Sequence, residues 1–417
     1  MIRHAGTSLV SFGLLMLFTA GASAQNANLH VPPQDGQFDG DASFGVSAGV
    51  WGHTAAVGAP GVAPPDTSGN PQAQFPYFGV VNIYTTDVNR TAWTLSSVLH
   101  APDANPGDFY FGLQLALQGK WLIVSSINAI WIYEKVRGNY ALTDKIVTTS
   151  EPYQLLYRDG VLAFKAGGFV QVYQVNKAGV AHLVSSLSPP QSAGVNGFSG
   201  GLSYDPVNAV IAVGAMGDDT GILGQVFFYE QKKDKWVLQE TLAAPSTTAN
   251  GFGASMAVWG DKLVVGAPSA DAQYCVSCDE TLNAGVSYVY VRKGKKWLLT
   301  QTISTEDPTS GVAGLVDFGA NMVTNGRYVW IQAPEANYGN YSTVQQGPST
   351  LFRWKGDQLE LFKANAGDAT AEPGGLAMSN RYVIEGLGDP TFGEAASIYD
   401  LTLFEGSNSS TSADDPE

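Results

Sequence analysis

The sequence is poor in the side chains that most often carry chemistry. Its 417 residues hold two cysteines, five histidines and six methionines. Charged residues make up only 14%, and acids outnumber bases 37 to 22, for a formal charge of −15. A surface so acidic repels phosphate backbones, which excludes nucleic acid as a natural partner. No window has the 3.6-residue apolar period of an amphipathic helix, so helical bundles and coiled coils are excluded. Beyond the N-terminus no apolar run approaches the roughly 20 residues of a spanning helix.

The one long apolar run opens the chain. "SLVSFGLLMLFTAGASA" follows Arg3 and ends in the small residues Ala22-Ser23-Ala24, just before Gln25. Residues 1–24 read as a secretory signal peptide, too short in its apolar part for an anchor. The mature protein is therefore expected to be secreted, extracellular or periplasmic. At the other end, "EGSNSSTSADDPE" is polar and acidic, and residues 406–417 are expected to form a disordered tail.

Glycine is abundant, at 48 residues, and most of it falls in a repeat. "FGASMAVWGDKLVVGAP" from Phe252 echoes "FGVSAGVWGHTAAVGAP" from Phe44. "FGANMVTNGRYVWIQAP" from Phe318 and "FSGGLSYDPVNAVIAVGA" from Phe198 are further copies. Phe111, Tyr153 and Gly375 begin weaker ones. Each unit continues through a variable loop into a strand of alternating aromatics, such as "GVSYVYVRK". A polar turn and another strand follow, such as "WLLTQTISTE". Period-two alternation over four short segments, repeated about every 40–70 residues, is the pattern of an antiparallel four-stranded propeller blade. Seven units predict an all-β, seven-bladed β-propeller occupying residues 25–405 as one domain. The seventh unit lacks an outer strand. "ANLHVPPQDG" has the register of an outer strand, so residues around Leu29–Pro32 are expected to complete the last blade and close the ring.

The paired motifs Phe44-Gly45, Phe252-Gly253 and Phe318-Gly319, with Gly58-Ala59-Pro60 and Gly266-Ala267-Pro268, resemble the FG-GAP repeat. That repeat builds the propellers of integrin alpha chains and of many bacterial secreted and surface proteins. The resemblance covers almost the whole chain after the leader. It implies adhesion or protein binding, and implies calcium only where an acidic loop joins the first two strands of a blade. Here those turns are "WGHT", "QGKW", "RDGV", "DPVN", "WGDK", "NGRY" and "SNRY", none with more than one carboxylate. Calcium remains possible, but the family motif is absent, and no metal ligand or cofactor is assigned. Asp261 reads as a turn residue. The oxygen-rich stretches around Asp103, Asn105 and Asp108, and around Asp218 and Asp219, read as solvated loops.

Other motifs have plain readings. Ser47 and Ser199 sit in G-x-S-x-G patterns, but at the start of a strand and not on the strand-to-helix elbow that a nucleophile needs. His53, His100 and His182 fall in different units and form no triad, so no catalytic residue is assigned. Cys275 and Cys278, in "YCVSCDE", lack the further ligands of a zinc site and a histidine for haem attachment. In a secreted chain they read as a small disulfide that stiffens a loop.

Loop length carries the functional signal. The link between the second and third strands is long in units 1, 5, 6 and 7 and nearly absent in units 2 and 3. Units 5, 6, 7 and 1 are neighbours in a closed ring, and these links share one face. They carry Phe75, Tyr77, Phe78, Tyr274, Tyr338 and Tyr341 as candidate ligand-binding residues, on a surface suited to a protein or a glycan. The expectation is a non-catalytic binding or adhesion module. One alternative is a carbohydrate-active hydrolase or lyase using carboxylates on that face, such as Asp317, Glu335 or Asp389. The other is a structural subunit of an envelope assembly. Asn89, Asn340 and Asn408 begin acceptor sequences that matter only if the secretory pathway glycosylates.

Overall fold

The computed structural model describes residues 25–30, 43–62, 78–90, 92–102, 109–195, 197–217, 222–272, 282–283, 285–304, 317–333, 335–336, 345–346, 349–364, 366, 373–387 and 395–405. Seven four-stranded antiparallel sheets follow one another along the chain. We label the strands of each blade a to d from the axis outward. Blade 1 comprises Ala48–Trp51, Thr54–Ala59, Val80–Thr86 and Trp93–His100. The a strands of successive blades are neighbours right around the axis, and blade 7 touches blade 1. The chain is an all-β, seven-bladed propeller. One short helix, Leu401–Phe404, follows the last strand, and no described helix is long and apolar enough to cross a membrane.

The alternation expected throughout fails on the b strands, which are buried from end to end in several blades. Strand d of blade 4, Lys235–Ala243, alternates between buried and exposed positions near its start. Strand b of blade 3, Val161–Ala166, and of blade 4, Val210–Ala215, is buried at every position. The reason is geometric: an inner strand has a neighbouring blade on each face, so both of its faces must be apolar.

The repeat motif forms the seam between blades. Phe44, Phe111, Phe198, Phe252 and Phe318 are all essentially inaccessible to solvent. Phe111 lies among Ala56, Val81 and Ile83 of blade 1 and Leu122, Val124 and Trp131 of its own blade. The glycine that follows has a positive φ at Gly45, Gly112, Gly253 and Gly319, between 89° and 96°. Only glycine adopts this backbone without strain. Its carbonyl oxygen points at the preceding blade, where it meets the first glycine of Gly-Ala-Pro. A Cβ at Gly266 would collide with the Gly319 carbonyl oxygen, as would one at Gly58 with that of Gly112. In blade 4 the structural glycine is Gly200, one residue later than the motif suggests. Its N–H donates to Gly214 O at 3.0 Å, as that of Gly253 does to Gly266 O at 3.0 Å.

Three blades lack the glycine. In blade 2 its place is taken by the buried Ser125, whose Oγ accepts from Gln114 N of the same blade at 2.9 Å. In blade 3 its place is taken by Lys165, fully buried, whose Nζ donates to the Gly200 carbonyl oxygen of blade 4. In blade 6 it is Gln332, whose Nε2 donates to the buried Glu385 carboxylate of blade 7 at 2.8 Å. Trp330 Nε1 donates to the same oxygen at 2.6 Å, and Ser349 Oγ also donates to it. Lys165 and Gln332 thus bridge to the next blade through a side chain, as Ser47 and Ser255 do at two other seams, to the carbonyls of Gly112 and Gly319.

Every c–d pair carries a β-bulge at the same place. In blades 1 to 6 the register shifts where strand c presents Tyr84, Tyr133, Tyr173, Tyr229, Tyr290 or Phe352. Each of these pairs with a leucine of strand d: Leu95, Leu142, Leu183, Leu238, Leu299 or Leu361. The extra residue leaves a carbonyl of strand c without its ladder partner. Where that residue is Ser96, Thr143 or Thr300, its hydroxyl donates to the carbonyl, at 3.1, 3.0 and 3.2 Å.

The ring closes through the N-terminal segment. Gln25–His30 pairs with Ala395–Asp400, strand c of blade 7, with Leu29 opposite Ala396. This strand begins earlier than the 29–32 expected. The prolines at 32 and 33 cannot donate to a ladder, which suits them to follow the strand and not to lie within it. Leu29 is buried among Phe44, Tyr382 and Ile398, so the first strand reaches a core shared by blades 7 and 1.

Candidate functional site

The b–c and d–a links share one face of the disc, because strands alternate in direction. The b–c links are as uneven as the sequence suggests. Blade 2 passes from Ser126 to Ala129, and blade 3 from Ala166 to Phe169 through Gly167 and Gly168, both at positive φ. The links of blades 5 and 6 each contain a further small ladder. Asp271–Ala272 pairs with Leu282–Asn283, and Glu335–Ala336 with Gln345–Gln346. Two adjacent blades thus each carry an extra antiparallel ladder in a link of the same face.

Of the aromatic residues assigned to this face, Phe78 is described. It is half-buried, its carbonyl accepts from Phe111 N at 2.9 Å, and its ring lies 5.9 Å from that of Phe109. It therefore packs on the link into blade 2. Phe75, Tyr77, Tyr274, Tyr338 and Tyr341 lie outside the described residues, as do Cys275, Cys278, Asp389 and the acidic positions 103, 108, 218 and 219. Asp317, at φ 55°, accepts from Ala320 N at 3.0 Å and so shapes its turn. Among the described residues no three His, Cys, Asp or Glu gather as a metal would require.

The serines of the two G-x-S-x-G patterns have structural partners. Ser47 Oγ donates to Gly112 O of blade 2 at 2.6 Å, and Ser199 Oγ accepts from Met216 N at 3.0 Å. His53 faces the Arg90 guanidinium at 3.3 Å.

Beneath the loops, the seven a strands surround an axial channel. Its upper part is a cavity of about 430 Å³, walled near its mouth by Ser47, Gln114, Gln154, Ser255 and Asn321. Below lies a second space of about 230 Å³, reaching Trp51, Arg158, Tyr204 and Trp259 at the a–b turns. Every blade contributes an apolar residue that borders both: Ala48, Leu115, Leu202, Met256 and Leu376 from five blades, Leu155 and Leu156 from blade 3, and Met322 and Val323 from blade 6. Among the described residues no charged side chain lines the upper cavity, and Arg158 is the one charged group around the lower. The Arg158 guanidinium carbon lies 4.4 Å from the centre of the Trp259 ring, a cation–π contact between blades 3 and 5.

Sequence reasoning treated Trp51 and Trp259 as part of the repeat and missed that they floor the channel. Strand parity was the available signal, since each ends a four- or five-residue inner strand just before the turn glycine. It also missed Lys165, although setting "FKAG" against "VGAP" places a lysine in the glycine column. Burial lowers the Lys165 pKa to about 7, and the Tyr153 ring centre lies 5.9 Å from its amine. Burial, with the nearby Asp159 adding to it, pushes Tyr204 at the channel floor up to about 12.

No family model matches the sequence, and no curated protein matches it. Solved structures resemble the fold. A protein of Lactobacillus plantarum is 14% identical, with a TM-score of 0.45 over 76% of this chain and 83% of its own. Sqt1 of Saccharomyces cerevisiae is 10% identical, with a TM-score of 0.48 over 87% and 97%. Hsv2 of Kluyveromyces lactis is 9% identical, with a TM-score of 0.47 over 82% and 89%. Likenesses this distant carry nothing about activity.

Proposed function

We propose that this chain is an FG-GAP propeller exported from the cytoplasm, where it serves as a non-catalytic binding or adhesion module for a protein or a glycan. The ligand is held by the long loops of blades 5, 6, 7 and 1. The observation that carries this reading is the pair of extra ladders, 271–272 with 282–283 and 335–336 with 345–346, raised on adjacent blades of one face. Closed blades need no such additions: blades 2 and 3 join b to c by tight turns and are complete without them. Elaboration confined to one sector of a rigid scaffold is how recognition surfaces are built. Tyr274, Tyr338 and Tyr341 supply rigid amphipathic contact area in those loops, and the 275–278 disulfide preorganises one of them.

The test is a screen of the mature chain against glycans and cell-surface proteins, followed by loop replacement. Exchanging residues 337–344 for a Gly-Asn turn, and Tyr274→Ala, should each weaken binding at least ten-fold while leaving the thermal midpoint within a few degrees. Unchanged affinity in both variants refutes the loop-face assignment.

A further inference from the structure

We infer that the groove between blades 2 and 3 on the turn face, opposite the long loops, is a binding site for a neutral oligosaccharide. The a–b and c–d turns form this face. A groove of about 550 Å³ runs outward from the channel floor along the seam of these two blades. That volume lies within the range of roughly 300–1,000 Å³ that small-molecule sites occupy. Most of the wall it shows to solvent is apolar. Three aromatic residues line it: Trp51 from blade 1, Trp121 from blade 2 and Tyr157 from blade 3. Trp51 and Trp121 are half-buried.

The groove lies where a turn is short. Trp51 and Trp259 hold the same place in their blades, at the end of strand a. In blade 6 the a–b turn spans residues 325–327, and Gly326 lies against Trp259: a Cβ there would sit 2.5 Å from its Nε1. In blade 2 the turn is residues 119–120, and a Cβ on Gly119 would meet nothing within 4 Å. The turn of the following blade therefore covers Trp259 and stands clear of Trp51. Trp121 is fixed by blade 3. Gly179 of its c–d turn packs so closely that a Cβ there would lie 2.7 Å from the Trp121 ring, and the Gly179 carbonyl accepts from Thr143 Oγ1 at 3.1 Å. An aromatic ring fixed in advance offers contact area at little entropic cost.

The polar groups at the groove suit hydroxyls. Gln118 Nε2 donates to Asp159 Oδ1 at 3.0 Å, and Gln118 Oε1 accepts from Asp159 N at 2.6 Å, which pins the carboxylate across the seam. The pair uses one carboxylate oxygen and leaves Oδ2 as an acceptor. Asn176 Oδ1 accepts from Ala178 N at 2.9 Å and Val180 N at 3.1 Å, which leaves its amide NH₂ as a donor. Gln174 Nε2 donates to Gly160 O at 3.0 Å, which leaves its Oε1 as an acceptor. A pyranose needs this combination: its C–H face lies on an aromatic ring while its equatorial hydroxyls reach sideways to amides and carboxylate. Charge is balanced. Lys120 is paired with Glu134 and lies 4.8 Å over the Trp121 ring, and Asp159 is matched by Lys177 at the same groove. A neutral ligand therefore fits where an ion of either sign gains nothing.

The experiment titrates the full mature chain with cellotetraose and with xylotetraose, whose ring hydroxyls are all equatorial, and follows binding by calorimetry. Saturable one-to-one binding is expected. Sorbitol, which has the hydroxyls but no ring to stack, should not bind. Trp121→Ala should abolish binding. Asp159→Asn keeps the acceptor for Gln118 and removes the charge and the Oδ2 acceptor, so it should weaken binding about ten-fold. Asp159 is exposed, so this variant tests the site whether or not Trp121→Ala folds. The loop variants described above should bind both sugars as the parent does, so the two readings fail separately. No saturable binding of either tetrasaccharide, equal binding of sorbitol, or affinity unchanged in Asp159→Asn overturns the inference. Binding lost in the loop variants but kept in Asp159→Asn assigns the sugar to the loop face and overturns it as well.

Discussion

At the scale of single residues, the seams between blades are set by where a side chain is missing. Gly266 touches the Gly319 carbonyl of the next blade with its bare Cα face. Gly266→Ala should therefore force two blades apart and cost about 2–4 kcal/mol, as overpacking at backbone does. Urea unfolding would measure it, and Gly52→Ala supplies the contrast. Gly52 has positive φ but open space around its Cα, so its cost should be the smaller conformational one.

Lys165 answers the same geometric problem with an amine. Its folded pKa of about 7 lies below its ordinary value of 10.5. Between those values the unfolded chain holds a proton that the folded chain does not, so stability should rise with pH across that window. The slope should approach about 1.4 kcal/mol per pH unit. Lys165→Met should remove the slope and be the more stable protein at pH 7. Denaturant midpoints at pH 7, 8 and 9 decide it. These stay below the range in which tyrosines ionise, where burial of Tyr157, Tyr204, Tyr229 and Tyr382, each pushed up to about 12, acts in the opposite direction.

At the scale of strands, the legible and illegible parts of the fold divide along physical lines. Four segments per unit could be read because aromatic alternation and tight turns are local. Phe252 and Gly253 announced a packing ring and a special backbone, and both are so. The bulge between strands c and d could not be read, because one extra residue in a polar strand leaves the composition unchanged. Only the pairing of Tyr84 with Leu95, repeated in five further blades, exposes it. The double-sided burial of strand b was misjudged because alternation assumes one wet face, and a blade interior has none. The unevenness of the b–c links was legible from loop lengths alone. The channel was not, because its wall of Leu115, Met256 and Met322 looks like any core until the a strands are arranged about an axis.

At the scale of the whole molecule, stability depends on one contact between the ends of the domain. Leu29 is the single described side chain through which the first strand enters the core shared with Tyr382 and Ile398. Leu29→Ala should cost about 2–5 kcal/mol, as large-to-small changes at closed core sites do. Deleting residues 25–30 should do more. It would expose strand c of blade 7 as an apolar edge, and size-exclusion chromatography should show more self-association than the parent does. A monodisperse deletion variant with an unchanged midpoint would mean that the strand merely decorates the ring.

The closing strand also sets a timetable. Leu29 and its partner Ala396 are separated by about 370 residues. At a synthesis rate of roughly 5–20 residues per second, the first strand of the fold is made some 20–70 seconds before anything exists for it to pair with. Six blades can assemble in order as they appear, each from contiguous chain. The seventh must wait for both ends to meet across a long loop, the slowest kind of contact to form. Throughout that interval the molecule is an open arc with an unpaired edge at blade 7 and an uncovered blade 1. The vulnerable species for proteolysis or aggregation is thus this six-bladed arc, more than the unfolded chain, and its lifetime is governed by the encounter of Gln25–His30 with Ala395–Asp400.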